Sequence, residues 1–215
     1  MTYLQLVNAV LRRLREEQVT TVAEADYSQM IGDLVNEAKR LVEDSWDWSA
    51  LRTTHSFDTL AGTSEYSLTD FGVRSEVFNV FDTTEDRELY KKPLAEILRT
   101  NVVSNDATNT SYSYAMNGVD ANGDIKLRLF PTPNSTNSIQ VYGVKRTDDL
   151  VNDSDTVAIP PSCIISWAYS YALIERGETG GQSGSEQALF AKNDLSTAIA
   201  LDAGLHSDEL VWSTV

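Results

Sequence analysis

The sequence predicts an α+β protein in which N- and C-terminal helices form a helical body that carries an inserted β-rich lobe, barrel- or sandwich-like in form. Two observations predict this class: apolar residues recur at helical spacing near both ends of the 215-residue chain, and alternation with turn residues fills its middle. Terminal helices of this kind pack best on each other, with the lobe folded apart from them. We assign 1–52 and 160–206 to the helical body, 53–159 to the lobe and 207–215 to a C-terminal tail.

Two amphipathic helices are predicted at the start of the chain. Thr2 is a suitable N-cap for the first, over 3–17, whose apolar face is formed by Tyr3, Leu6, Val7, Val10, Leu11 and Leu14. The second is predicted over 27–44. Its apolar face is formed by Tyr27, Ile31, Leu34, Val35, Ala38, Leu41 and Val42. The opposite face carries charged residues, namely Asp33, Glu37, Lys39, Arg40 and Glu43.

The middle of the chain reads as strands with one short helix. SFDTLAGTSEYSL predicts two strands joined at Ala61-Gly62, and PLAEILRTNVV predicts a helix with proline in its first turn. The stretch 104–123 is polar and lacks basic residues, so it is predicted to be a long loop with a hairpin tip at Asn122-Gly123. DIKLRLF and SIQVYGVK follow as two clear strands.

Helical pattern returns after Pro160-Pro161. SCIISWAYSYALIERG is apolar nearly all the way round, which predicts a helix buried on most sides and closed by Gly177. A glycine-rich connector leads to a fourth helix over 185–205 with a thinner apolar stripe. The tail SDELVWSTV comes last.

Two of the four tryptophans, Trp46 and Trp48, lie where helical spacing gives way to alternation. Large amphipathic rings suit a boundary between a helical and a β layer, because they bury area on both sides. We predict that this pair anchors the helices to the β lobe.

The net charge of −15 argues against a protein that holds nucleic acid by neutralising phosphates. The basic group Arg12, Arg13 and Arg15 stands beside Glu16 and Glu17, so we interpret it as a solvated or subunit-contacting face. No stretch reaches the ~20 apolar residues of a membrane span, and no signal sequence is recognisable at the start.

No enzyme, metal or cofactor motif is found. The single cysteine, Cys163, excludes an internal disulfide and is expected to be a buried hydrophobe. Asp120 and Asp124, and likewise Asp153 and Asp155, are spaced so that they could hold a cation weakly, although a turn explains each pair better. The prediction is a protein that is not an enzyme and has no cofactor.

In order along the chain, several segments follow one known plan. A helix pair ends in Trp46-x-Trp48 with Arg52 close behind, and a strand pair follows around Ala61-Gly62. The run from Leu127 to Leu173 then gives strand, P-x-P turn, strand, a Leu-x2-Asp-x-Asp loop, proline and helix. This layout resembles the head-to-tail adaptor proteins of short-tailed bacteriophages, of the tail tubular protein A kind.

The resemblance implies a structural viral protein in the neck of the virion, assembled in the host cytoplasm. It implies a ring, a dodecamer in this family, that binds the portal protein and the tail nozzle, contacts tail fibres in some cases, and lets DNA pass during ejection without binding it specifically. The C-terminal segment is then expected to reach the portal through Leu210, Val211 and Trp212. The stretch 104–123 has no motif that maps onto the family.

The apolar helix after Pro160-Pro161 suggests how copies could meet. Neighbouring subunits can cover what one chain leaves exposed, so we predict that this helix contacts the next subunit through Ile164, Trp167 and Tyr171.

Two other classes of function compete with the adaptor. One is a β-rich recognition module, binding carbohydrate or a tail fibre, carried on an oligomerising helical body. The other is a hydrolase whose catalytic carboxylates are hidden among the 32 acidic residues.

Overall fold

The computed structural model describes residues 1–104, 108–177 and 184–205, in which five α-helices and two four-stranded β-sheets are found. The chain forms two compact units. The helical unit contains Met1–Leu51 and the chain from Thr147 onward, and the β unit is Arg52–Arg146. Segment 147–159, which we had assigned to the lobe, therefore belongs with the helices. The α+β class with a β-rich lobe is confirmed.

The helices begin close to their predicted positions. The helical unit contains α1 (Tyr3–Arg13), α2 (Asp26–Asp44), α4 (Pro161–Glu175) and α5 (Gly184–Ala203), and the β unit contains α3 (Leu94–Ser104). Thr2 caps α1 as predicted: its hydroxyl accepts a hydrogen bond from Gln5 N at 3.3 Å, and Gln5 Oε1 accepts one from Thr2 N at 3.0 Å. α1 ends earlier than predicted because Arg15 adopts a φ of +60°, which a right-handed helix cannot contain.

The prediction that Lys39 and Glu43 face outward is wrong. Both side chains are 1% exposed, and they form an ion pair at 3.0 Å. Lys39 Nζ also donates to the carbonyl oxygens of Thr147 and Asp148, and Glu43 accepts from the Thr147 hydroxyl at 2.7 Å. The charges are buried because the chain that returns to the helical unit covers them and supplies the missing partners.

α4 lies at the centre of the helical unit. It packs against α1, α2 and α5, and its buried residues include Cys163, Ile164 and Leu173. The chain leaves α4 at Gly177, whose φ of +61° is the left-handed conformation expected of a C-terminal glycine. The prediction of a helix buried on most sides is confirmed by this arrangement.

The β unit is a sandwich of two four-stranded sheets. The strands are β1 (Arg52–Asp58), β2 (Glu65–Gly72), β3 (Glu76–Asp82), β4 (Arg87–Glu88), β5 (Tyr90–Lys91), β6 (Ser113–Val119), β7 (Asp124–Phe130) and β8 (Ser138–Val144). Their orders are β1-β8-β3-β4 and β2-β7-β6-β5, and β5–β6 is the parallel pair. Inward-facing residues of both sheets share one core, which is the packing that defines a sandwich.

β1 and β2 do not pair with each other, contrary to the prediction from Ala61-Gly62. The turn is present, with Gly62 at φ +83°, but β1 pairs with β8 and β2 with β7. The two strands meet across the core instead: the rings of Phe57 and Tyr66 stack with centroids 4.8 Å apart. Long-range pairing therefore overrides the local hairpin pattern.

The stretch 104–123 is not a continuous loop, because β6 lies within it. Its first residues, Ser113 and Tyr114, are buried although the surrounding composition is polar. The predicted hairpin tip is confirmed: Gly123 has a φ of +88°, and Asp120 N donates to Asp124 O at 2.9 Å.

Replacing Lys39 by methionine is expected to lower the free energy of unfolding by about 3–5 kcal/mol, since it leaves the Glu43 carboxylate buried without its cation. Methionine keeps most of the volume, so a cavity is not the cause. The measurement is urea denaturation followed by circular dichroism.

The matched control is Lys92→Met, which breaks an i,i+4 Lys–Glu pair whose side chains are 35% and 51% exposed. This change should cost less than about 1 kcal/mol. Equal losses for the two variants would contradict the buried-pair interpretation.

Candidate functional site

One strip of α4 stays partly exposed although the helix is apolar on every side. Trp167, Tyr171 and Ile174 follow each other at i, i+4 and i+7, which places them on one face. Trp167 and Tyr171 are half-buried, with ring centroids 5.9 Å apart, and Ile174 is 60% exposed. This face is aromatic and aliphatic, and solvent reaches it.

α2 continues this surface. Met30, Leu34 and Leu41 are half-buried and share one face of α2, together with Glu37. Burial raises the pKa of Tyr171, and the nearby Glu37 carboxylate raises it further, so this face of α2 borders the tyrosine. We call Met30, Leu34, Leu41, Trp167, Tyr171 and Ile174 the α2–α4 strip.

Trp167 is held in the strip by packing. Its Nε1–H group is buried and has no hydrogen-bond partner within the described part of the chain. A buried donor without an acceptor costs about 1–3 kcal/mol. Large rings are enriched at contacts between proteins, where their area stabilises association, and Trp167 fits that use better than a role in the core.

The acidic, histidine and cysteine side chains that the structure describes are the groups that a metal site or a thiol nucleophile would need. Over the described ranges, no group of three or more His, Cys, Asp or Glu side chains could hold a metal ion. Burial is the main cause that raises the pKa of the Cys163 thiol, which disfavours the nucleophilic thiolate.

A protein-family model described as SU10 adaptor protein matches residues 1–208. The chain belongs to this adaptor family. The family is one of phage head-to-tail adaptors, so the predicted resemblance is confirmed, and the protein is a structural phage adaptor of the virion neck or tail. No curated protein matches the chain. Of the helices described, none has the length and apolarity to cross a membrane.

The predicted subunit-contact residues of the adaptor differ in their exposure. Ile164 is 0% exposed and lies wholly inside the chain, whereas Trp167 and Tyr171 keep accessible surface. Ile164 therefore has no area to offer to another subunit. Because the helix is apolar on every side, its sequence does not show which of these positions stay exposed. Leu34 and Leu41 belong to the apolar face predicted for α2, but the sequence does not distinguish them from the fully buried residues of that face. Met30 was not part of the predicted face.

The two predicted anchors, Trp46 and Trp48, form hydrogen bonds inside the helical unit. Trp48 is 1% exposed, and its Nε1 donates to Val42 O at 2.7 Å. Trp46 Nε1 donates to Asp202 Oδ2 at 2.9 Å, and Ser49 N donates to the same oxygen at 3.0 Å. Both rings thus fix the end of α2, with α5 as the second support. Their role in joining helices to the lobe stays a prediction.

The two carboxylate pairs serve as turn caps. Asp120 accepts hydrogen bonds from Asn122 N and Asp124 N at 2.8 and 3.0 Å, and Asp155 accepts from Val151 N and Asn152 N at 2.8 and 2.7 Å. Backbone N–H donors lower the pKa of both carboxyl groups. The turn interpretation therefore accounts for Asp120 and Asp155 without a cation.

The predicted portal contact lies outside the described residues, because Leu210, Val211 and Trp212 follow the last described residue, Leu205.

Trp48→Ala is expected to lower the free energy of unfolding by about 3–5 kcal/mol, because it empties a fully buried ring site. Trp46→Phe, which keeps an aromatic ring but loses the bond to Asp202, should cost about 1.5–3 kcal/mol. Urea denaturation of both variants measures the difference. A loss below about 1 kcal/mol for Trp48→Ala would contradict its burial.

Proposed function

We propose that this adaptor forms a ring of identical copies between the portal and the tail nozzle of a phage neck, and that genomic DNA passes through the ring. The observation that carries the proposal is the α2–α4 strip, an aromatic and aliphatic surface that a single chain leaves partly in water. Covering it with a neighbouring copy removes apolar area from water at about 25 cal/mol per Å². The family supplies the remaining support, since its members act between head and tail.

The charge of the chain suits a conduit. Each copy carries −15, and a dodecamer of the kind that the resemblance implies would carry about −180 before counter-ions bind. A negative bore repels the phosphates of the duplex, so DNA slides instead of adhering.

We infer that the C-terminal segment 207–215 binds the portal. It offers Leu210, Val211 and Trp212 next to the acidic Asp208 and Glu209. A short apolar segment that orders when it meets a partner can act as an anchor, with tryptophan as its main contributor.

Ile174→Glu is expected to move the assembly from rings to monomers, because it places a charge within the α2–α4 strip, at its most exposed residue on α4. Mass photometry of the purified chain, alone and with the portal, measures the populations. The control is Val102→Glu on α3, a change of the same chemistry at a position that is 85% exposed. Val102→Glu should assemble like the wild type. A wild-type chain that stays monomeric even on the portal would refute the ring.

Deleting 207–215 should leave the fold and the ring intact and weaken attachment to the portal. Co-sedimentation of the ring with purified portal measures the attachment. A full-length variant with Leu210, Val211 and Trp212 all changed to serine separates loss of apolar contact from loss of length. Attachment equal to that of the wild type in both variants would reject the anchor.

A further inference from the structure

An open pocket of about 600 Å³ lies beside the start of α1. Its lining includes Tyr3 from α1, Asp33 from α2, and Asp149 and Asp153 from the segment that returns from the β unit. We call these four residues the acidic socket. Three separate segments contribute to it.

The hydroxyl of Tyr3 lies in the socket without a partner. Tyr3 is 5% exposed, and among the residues described no hydrogen bond reaches its side-chain oxygen. The oxygen rests against the backbone of α2, since a Cβ at Gly32 would lie 2.3 Å from it. Burial, followed by the carboxylates of Asp33, Asp149 and Asp153, raises the pKa of Tyr3 to about 12. The phenol is therefore neutral at physiological pH and can still form a hydrogen bond.

The residues named in the socket carry a net negative formal charge. Asp149 pairs with Arg40, whose Nε donates to Asp149 Oδ1 at 2.7 Å, and Asp153 accepts from Val22 N at 3.1 Å. With Arg40 included, the three carboxylates leave a charge of about −2, and Glu37 stands near Arg40 as well. A partner with a cationic, hydrogen-bond-donating group fits this site best.

The opposite end of α1 carries the complementary charge. Arg12 and Arg15 are exposed, and within the described ranges their guanidinium groups take part in no ion pair or hydrogen bond. α1 begins at Tyr3 and ends at Arg13, so about 15 Å of helix separates the socket from these arginines.

The contacts of Arg13 show which side of α4 the end of α1 packs against. Next to Arg12, Arg13 donates to Ser166 Oγ and lies over the ring of Tyr169, so α1 packs on that side of α4. At 100° per residue, this side is about 150° around α4 from Trp167 and Tyr171. The socket, by contrast, adjoins the α2–α4 strip, because Asp33 and Glu37 are one turn apart on α2.

We propose that the acidic socket of one copy receives Arg12 and Arg15 of the next copy, and that a guanidinium N–H donates to the Tyr3 hydroxyl. The proposal rests on the ring proposed above and adds which surface of one copy contacts which surface of the next. Two different, complementary surfaces at opposite ends of α1 make a head-to-tail contact, which closes into a ring if the rotation allows. Arginine fits the socket because its planar, multiply donating group can contact carboxylates and a hydroxyl together.

The test is a charge swap measured by mass photometry on the full chain, under conditions in which the wild type forms rings. Asp33→Lys and the double change Arg12→Glu with Arg15→Glu should each raise the protein concentration at half assembly by tenfold or more. Combining them in one chain neutralises the socket and offers the new lysine at position 33 to the new glutamates, so it should restore part of the lost assembly. Glu85→Lys, which changes the net charge as Asp33→Lys does but lies at an exposed position of the β unit, should assemble like the wild type.

Tyr3→Phe gives a second readout. It removes no hydrogen bond from the described chain, so the urea midpoint should stay unchanged, whereas the concentration at half assembly should rise about two- to tenfold. Rings that form normally in Asp33→Lys and in the arginine variant overturn the socket and leave the ring itself standing. A wild-type chain that never assembles overturns the ring, which is the separate claim.

Discussion

The helical unit depends on three polar residues of α2 that hold the returning chain. Asn36 exchanges two hydrogen bonds with the backbone of Leu150, at 2.8 and 3.0 Å, and Lys39 with Glu43 binds the backbone and hydroxyl of Thr147. Each buried polar group in this set has a partner, so their burial is tolerated. The same contacts fix where segment 149–153 lies, and with it the carboxylates beside Tyr3.

Most helices could be predicted because their signal is local. Thr2 caps α1, and glycine ends α4, for reasons that lie within a few residues of each position. Lys39 and Glu43 could not be predicted as buried, because the groups that satisfy them come from Thr147 and Asp148, more than a hundred residues later. For the same reason the hairpin signal at Gly62 misled: the partners of its two strands are β8 and β7.

The contact surface was predictable only in part. The sequence identifies α4 as too apolar for a solvent-facing helix, which led to Trp167 and Tyr171. It cannot say which side stays open, because a helix that is apolar all round has no preferred face. Ile164 was included for that reason and proves to be internal. The acidic socket needs three segments to meet, so no window of sequence contains it.

The net charge of the chain opposes the association of its copies. Each chain at −15 repels the next, and that repulsion acts on every pair of neighbours in a ring. Burial of apolar area at the α2–α4 strip does not depend on the sign of any charge, so it can supply affinity but does not fix the orientation of the two copies. A cationic group next to an acidic pocket reverses the repulsion locally and only when the two surfaces face each other. In the proposed ring, a small number of arginines at one end of α1 is therefore enough to distinguish a head-to-tail contact from all others, while the remaining acidic surface stays repulsive toward neighbouring copies and toward DNA.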